Sequence, residues 1–346
     1  MNNPNKFSKW LILKQANIPD DKIIPEYIIE QTGDQKIHYH HENSPVENNN
    51  DGSKQIENSN QKASLVIPGK SNNPWFIIGG TVTGHGHIAE NIPCQDSHKV
   101  QIWENGWGIA VVSDGAGSAE KSQLGSSFLT EETARRAYKL VMDKKWIETS
   151  TFPRKGEWKK LSHRLFCDIK DSLFKYSVSI KTSIEELHAT LIMIIFSHQG
   201  LLVAHVGDGR AGCLDEDGNL FSVIRPLQGE YINETVFMTV DFETNGRFFE
   251  SRVINKPVKA FFILTDGCEN VCWETNKKDE KTGNYIKPNK PFKPFFTHTV
   301  DILQNIGKHD SPEELKEKWL NYLDKGHRGF QIETDDKTMV VGIIEK

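Results

Sequence analysis

Beyond Trp75 the apolar residues come in short runs of strand length that end at Gly or Asp-Gly, with a few longer amphipathic stretches between them. Residues 100–103 and 107–112 flank Glu104-Asn105-Gly106, residues 189–196 and 201–206 flank His198-Gln199-Gly200, and residues 211–214 and 220–224 flank Asp215-Glu216-Asp217-Gly218-Asn219. Each pair of runs is folded back through a Gly-containing turn, which predicts three hairpins and largely antiparallel sheets. Residues 122–142 and 158–178 instead repeat Leu, Phe, Ala and Val every three or four positions, the spacing of a helix with one buried face. A third helix is predicted to start with Ser311 as N-cap, Pro312 at the first helical position and acids in the first turn, and to reach Asp324. Tandem hairpins with helices gathered in separate blocks predict an α+β fold, sheets covered by helices, rather than a doubly wound parallel sheet.

The pattern is weaker at the N-terminal end. Residues 33–74 are rich in Asn, Ser, Gln, Lys and Pro and poor in large apolar side chains, a composition that cannot offset the entropy of ordering, so they are expected to be a disordered linker. Residues 1–32 carry an apolar patch that includes Trp10, Ile12, Ile24 and Tyr27 and is expected to be helical, covering a core edge or docking on a partner. Residues 75–346 form the main domain. Within it, residues 144–158, 225–257 and 274–294 are longer and more polar than simple connections and are expected to be surface insertions.

Composition narrows the class. The 346 residues are 37% apolar, enough for a sizeable core, and 47 acidic against 42 basic residues leave no global field that favours nucleic acid or an anionic membrane. The five cysteines are scattered, Cys268 and Cys272 have no second ligand pair at zinc spacing, and the opening Met1-Asn2-Asn3-Pro4-Asn5 is polar. Buried thiols in a cytoplasmic protein are the expectation. Apolar runs such as 191–196 are far short of the roughly 20 residues a membrane span needs.

Four short segments set an Asp at the edge of an apolar strand: Pro93-Cys94-Gln95-Asp96, Ser113-Asp114-Gly115, Thr265-Asp266-Gly267 and Thr334-Asp335-Asp336-Lys337-Thr338. Asp-Gly alone is an ordinary turn signal, and Asp51-Gly52 and Asp217-Gly218 need no other explanation. Asp114 and Asp266 differ because each ends a run that is apolar on both faces, the mark of a central strand. Several carboxylates gathered at such strand ends would repel one another unless a cation neutralised them, and an all-oxygen set suits Mg²⁺ or Mn²⁺.

The ordered series Gly84-His85-Gly86-His87, Pro93-Cys94-Gln95-Asp96, Ser113-Asp114-Gly115-Ala116-Gly117-Ser118, Ala189-Thr190-Leu191, His205-Val206-Gly207-Asp208-Gly209-Arg210, Leu264-Thr265-Asp266-Gly267 and Asp335-Asp336-Lys337-Thr338 resembles the protein phosphatase 2C family, in particular its bacterial branch. The resemblance implies a four-layer α-β-β-α sandwich, two β-sheets with helices on both outer faces, and a metal pair at one end. It implies metal-dependent hydrolysis of phosphoserine and phosphothreonine in proteins by a water bridging two Mn²⁺ or Mg²⁺ ions, without a phosphoenzyme. By position Asp96, Asp114, Asp266 and Asp335 would be metal ligands, Gly115 would add its backbone carbonyl, and Asp114 would bridge both ions. Phosphorylated proteins would be the substrates, a cognate Ser/Thr kinase a possible partner, and the chain a monomer.

The chain departs from the family pattern in three places. Many members carry Arg near the first motif as a phosphate clamp, where this chain offers His85 and His87, of which His87 is expected to bind phosphate. Gln95 stands where many members have Glu. Glu185 lies near the place of an acid for a weaker third metal, but Asn270 replaces another, which leaves that third site doubtful. Asp208 and Arg210 are expected to form an internal ion pair. A catalytically dead phosphoprotein-binding module is the competing expectation.

Overall fold

Strands that are buried on both faces read as continuous apolar runs, and here each run splits its side chains between two separate cores. The computed structural model describes residues 61–68, 73–227, 229, 235–275, 277–278, 283–286, 288–306 and 311–344. The expected N-terminal segment at 1–32, and the expected linker before Gln61, lie outside the described residues.

The elements run β1 (Gln61–Val66), β2 (Trp75–Val82), α1 (His85–Glu90), β3 (Ser97–Ile102), β4 (Gly108–Ser113), α2 (Ser122–Asp143), α3 (Trp146–Thr149), α4 (Lys155–Ser179), β5 (Leu191–Ser197), β6 (Gly200–Val206), β7 (Arg210–Asp215), β8 (Leu220–Ser222), β9 (Glu250–Ile254), β10 (Val258–Leu264), α5 (Glu269–Cys272), β11 (Lys277–Lys278), β12 (Tyr285–Ile286), α6 (Lys293–Ile306), α7 (Pro312–Lys325), α8 (Arg328–Ile332) and β13 (Lys337–Ile344). One sheet has the order β1-β2-β13-β10-β7-β8, the other β3-β4-β5-β6-β9, and β11 with β12 forms a small separate ribbon. Every neighbouring pair in the two large sheets is antiparallel.

Alternation along single strands shows the layering. In β4, Ile109 and Val111 join a core with Leu129 and Phe166 of α2 and α4, while Ala110 and Val112 join a second core between the sheets. In β10, Phe261 and Ile263 enter that inter-sheet core, while Ala260, Phe262 and Leu264 meet Phe296, Trp319 and Phe330 of α6, α7 and α8. Three cores between four layers give the α-β-β-α sandwich. The capping box predicted for α7 is present: the Ser311 hydroxyl accepts from the Glu314 amide at 3.2 Å, and the Glu314 carboxylate accepts from the Ser311 amide at 2.9 Å.

Three boundaries differ from the sequence reading. Residues 61–66, placed in the linker by composition, form strand β1, which pairs with β2 from Gln61↔Val82 to Val66↔Ile77. It is an edge strand with no fully buried residue, so its sequence carries little apolar signal. Residues 144–158 are not a surface insertion, because Trp146, Ile147 and Trp158 are buried in the helical core and the Trp158 indole donates to the Val203 carbonyl at 2.9 Å. In the same way Val236, Met238, Phe242 and Phe249 tie the segment before β9 to that core.

Candidate metal centre

Backbone topology brings the chemistry to one end of the sandwich. Asp96 immediately precedes β3 and Asp114 immediately follows β4, and these strands are antiparallel neighbours with Ser97 opposite Ser113. In the other sheet Asp266 follows the C-terminal end of β10 and Asp335 precedes the N-terminal end of β13, where Leu264 faces Met339. Distances of 18 to more than 200 positions along the chain therefore collapse onto adjoining strand ends.

The four aspartates are close enough to perturb one another. Burial, then the charges of Asp266, Asp96 and Asp335, pushes the Asp114 carboxyl well above the ordinary carboxylate range. Asp266 is pushed up to about 7 by burial, then by the charges of Asp208 and Asp335. Asp96 is raised by burial, with the Asp336 charge next in size. Asp335, partly exposed, is raised mainly by burial, against the lowering influence of the Asp336 amide and of His87.

Among the described residues no lysine, arginine or histidine makes an ion pair with Asp96, Asp114 or Asp266. The Asp266 Oδ1 atom and the Gln95 Oε1 atom are buried with no hydrogen-bond partner. A buried, unpaired carboxylate costs several kcal/mol, and several of them together would consume the roughly 5–15 kcal/mol by which a domain is stable. Such a cluster must either hold protons or hold cations. The donors are almost all oxygen, so the residues present fit hard divalent ions such as Mg²⁺ or Mn²⁺.

Local contacts hold these groups. The Asp114 amide donates to Thr190 Oγ1 at 3.0 Å and its carbonyl accepts from the Thr190 amide at 2.8 Å, which ties the end of β4 to the start of β5. Thr265 Oγ1 donates to Asp96 Oδ2 at 2.8 Å, a bond between the two sheets. Gly115 is buried and bridges Ala189; an added Cβ would lie 2.6 Å from the Gln95 carbonyl and 2.9 Å from Ser122 Cβ. The need for glycine there comes from the packing of the 93–96 loop and the start of α2.

Sequence reasoning missed Asp336. It is 2% exposed, and its two oxygens accept from the Gly84 amide at 2.7 Å and the Gln95 amide at 2.6 Å. Its neighbour Asp335 was singled out from sequence, but a tandem Asp-Asp does not say which carboxylate turns inward. Ligand-type atoms of His87, Asp335 and Asp336 lie within 4.8 Å of one another. With both Asp336 oxygens taken by backbone amides, Asp336 is a brace and Asp335 the better ligand candidate. His87 Nδ1 sits 3.0 Å from Asp336 Oδ1 but out of hydrogen-bond alignment, whereas His85 is drawn away to Asp324 of α7 at 3.5 Å.

The expected ion pair between Asp208 and Arg210 is not formed side chain to side chain. Arg210 pairs with Glu269 at 3.0 Å and donates to the Asp208 carbonyl, while the Asp208 carboxylate accepts from Thr235 Oγ1 at 2.7 Å. Asp208 thus faces Asp266 as a further acid at this end of the molecule. Cys268 and Cys272 are buried free thiols, as expected.

The chain is 27% identical over 276 residues to serine/threonine-protein phosphatase 3 of Escherichia coli (strain K12), covering 78% of this chain and 98% of that protein. Among solved structures, the serine/threonine phosphatase Stp1 from Staphylococcus aureus is 13% identical with a TM-score of 0.45, covering 78% of this chain and 95% of that one. PppA from Pseudomonas aeruginosa is 14% identical with a TM-score of 0.45, covering 78% of this chain and 97% of that one. A family model described as protein phosphatase 2C matches residues 83–321, more than half of the sequence, and the chain therefore belongs to the protein phosphatase 2C family.

Proposed function

We propose that the chain is a metal-dependent protein serine/threonine phosphatase that hydrolyses phosphoserine and phosphothreonine. The observation that carries this reading is the cluster of Asp96, Asp114, Asp266 and Asp335, mutually destabilised as anions, with three of the four lacking a cationic side chain to pair with among the described residues. Asp114 stands at the centre because it feels all three of the others, which suits it to serve two ions at once. Asp96, Asp266, Asp335 and the Gly115 carbonyl complete the proposed ligand set. When bound, two Mn²⁺ or Mg²⁺ ions would neutralise charge on a phosphoryl group and supply a water acidic enough to attack it near neutral pH.

The protein's own groups position that chemistry. Thr190 and Thr265 fix the backbone and carboxylate of the two β3–β4 aspartates, and Asp336 fixes the loops that carry Gly84 and Gln95. With Nδ1 held beside Asp336, His87 has Nε2 left to donate to a phosphoryl oxygen, in the place where many relatives use arginine. The partner is a phosphorylated protein, replenished by a cognate Ser/Thr kinase. The reading places a monomer in the cytoplasm, consistent with the absence, among the described residues, of a helix long and apolar enough to cross a membrane.

The test is release of phosphate from a phosphothreonine peptide with and without Mn²⁺, for the parent and Asp114→Asn. Metal-dependent turnover that the substitution abolishes is expected; equal rates would remove Asp114 from the mechanism. A second reading, a catalytically dead module that binds phosphoproteins, is favoured by the neutral Gln95 with its unpartnered Oε1 and by the missing arginine. It predicts phosphopeptide binding without turnover at any metal concentration.

A further inference from the structure

A buried chain of polar groups leads from the edge strand β1 to Asp96, through residues that no part of the proposed mechanism uses. Ser64 Oγ lies 3.1 Å from His98 Nε2, His98 Nδ1 lies 2.7 Å from Thr81 Oγ1, and Thr81 Oγ1 lies 2.8 Å from Thr338 Oγ1. Thr338 reaches Asp96 through Thr265: its amide donates at 3.0 Å to Thr265 Oγ1, which donates in turn to Asp96 Oδ2 at 2.8 Å. His98, Thr81, Thr338 and Thr265 are all buried, so water offers these groups no alternative partners.

We infer that strand β1 is a positioning element for Asp96, acting through the hydrogen-bonded series Ser64, His98, Thr81, Thr338 and Thr265, which ends on Asp96 Oδ2 and orients the carboxylate for metal. The inference rests on the reading of Asp96 as a metal ligand. Two features of the strands are suited to it. Ser64 stands opposite Gly79 in the β1–β2 pair, and an added Cβ on Gly79 would lie 2.9 Å from His98 Cδ2, so glycine lets the imidazole cross the β2 backbone to reach β1. Lys62 and Ser64, two apart on β1, grip the backbone and the ring of the same histidine. Ser64, Thr81 and Thr338 all lie outside residues 83–321, the stretch that matches the family model.

The test uses the full-length protein. Thr81→Val, which keeps volume and removes the hydroxyl, is expected to weaken Mn²⁺ binding by about tenfold in calorimetry and to lower kcat with the peptide KM unchanged. Thr81→Ser should restore both. If Thr81→Val does not fold, Ser64→Ala at the edge strand serves instead, with a smaller loss of affinity expected. Unchanged Mn²⁺ affinity in a folded variant overturns the inference, whereas a parent protein that binds no Mn²⁺ overturns the reading of Asp96 beneath it.

Discussion

At the scale of residues, the balance between burial and charge decides how the candidate centre behaves. Asp114, Asp96 and Asp266 titrate higher in the folded chain than in the unfolded one, where the ordinary value is 3.8. The folded state then holds protons that the unfolded state has lost, so metal-free stability is full below about 4 and falls as pH rises toward the value of about 7 reached by Asp266. Thermal melts of metal-free protein should show a higher midpoint near pH 5 than near pH 7.5, and added Mn²⁺ should raise the midpoint more at the higher pH; a flat profile contradicts the cluster. Asp114→Asn removes the most crowded charge, so its metal-free form should melt no lower than the parent at pH 7.5 while its Mn²⁺-dependent gain is lost. Asp114 and Asp266 were legible from sequence because an acid that ends a doubly apolar run has nowhere to go but the interior edge. Asp336 and Asp208 were not, since their environments depend on strands distant in the chain.

Elements show where local patterns suffice and where they do not. The hairpins β3–β4, β5–β6 and β7–β8 and the helices α2, α4 and α7 follow directly from periodicity and turn chemistry. Strand β1 escaped because an edge strand needs only one partner and leaves Gln61 and Lys62 exposed. The segments around Trp146 and before β9 escaped because their anchors are irregularly spaced within polar sequence, without the period of a helix or a strand. Their anchoring makes a prediction: Phe242 is fully buried against Phe249 and His163, so Phe242→Ala should lower stability by about 3 kcal/mol in denaturant titration. A change below about 1 kcal/mol would mean that this segment is a loose surface loop after all.

At the scale of the whole molecule, the two large sheets of the described residues meet at their strand ends, and function is proposed to arise at that meeting. Each sheet contributes two aspartates, so neither can form the centre alone, and the Thr265 bond to Asp96 joins them. The four-layer architecture could be expected from the order of motifs, and the convergence of distant acids follows from it. The alignment of Asp96 through strand β1 could not be read from sequence, because it depends on a register in which Ser64 meets Gly79. Calorimetric titration of the parent protein and Asp114→Asn with Mn²⁺ is the most direct test of the shared centre. The account predicts two ions per parent chain and loss of the paired binding in the variant. No binding to the folded parent at millimolar Mn²⁺, or identical isotherms for the two proteins, would contradict it.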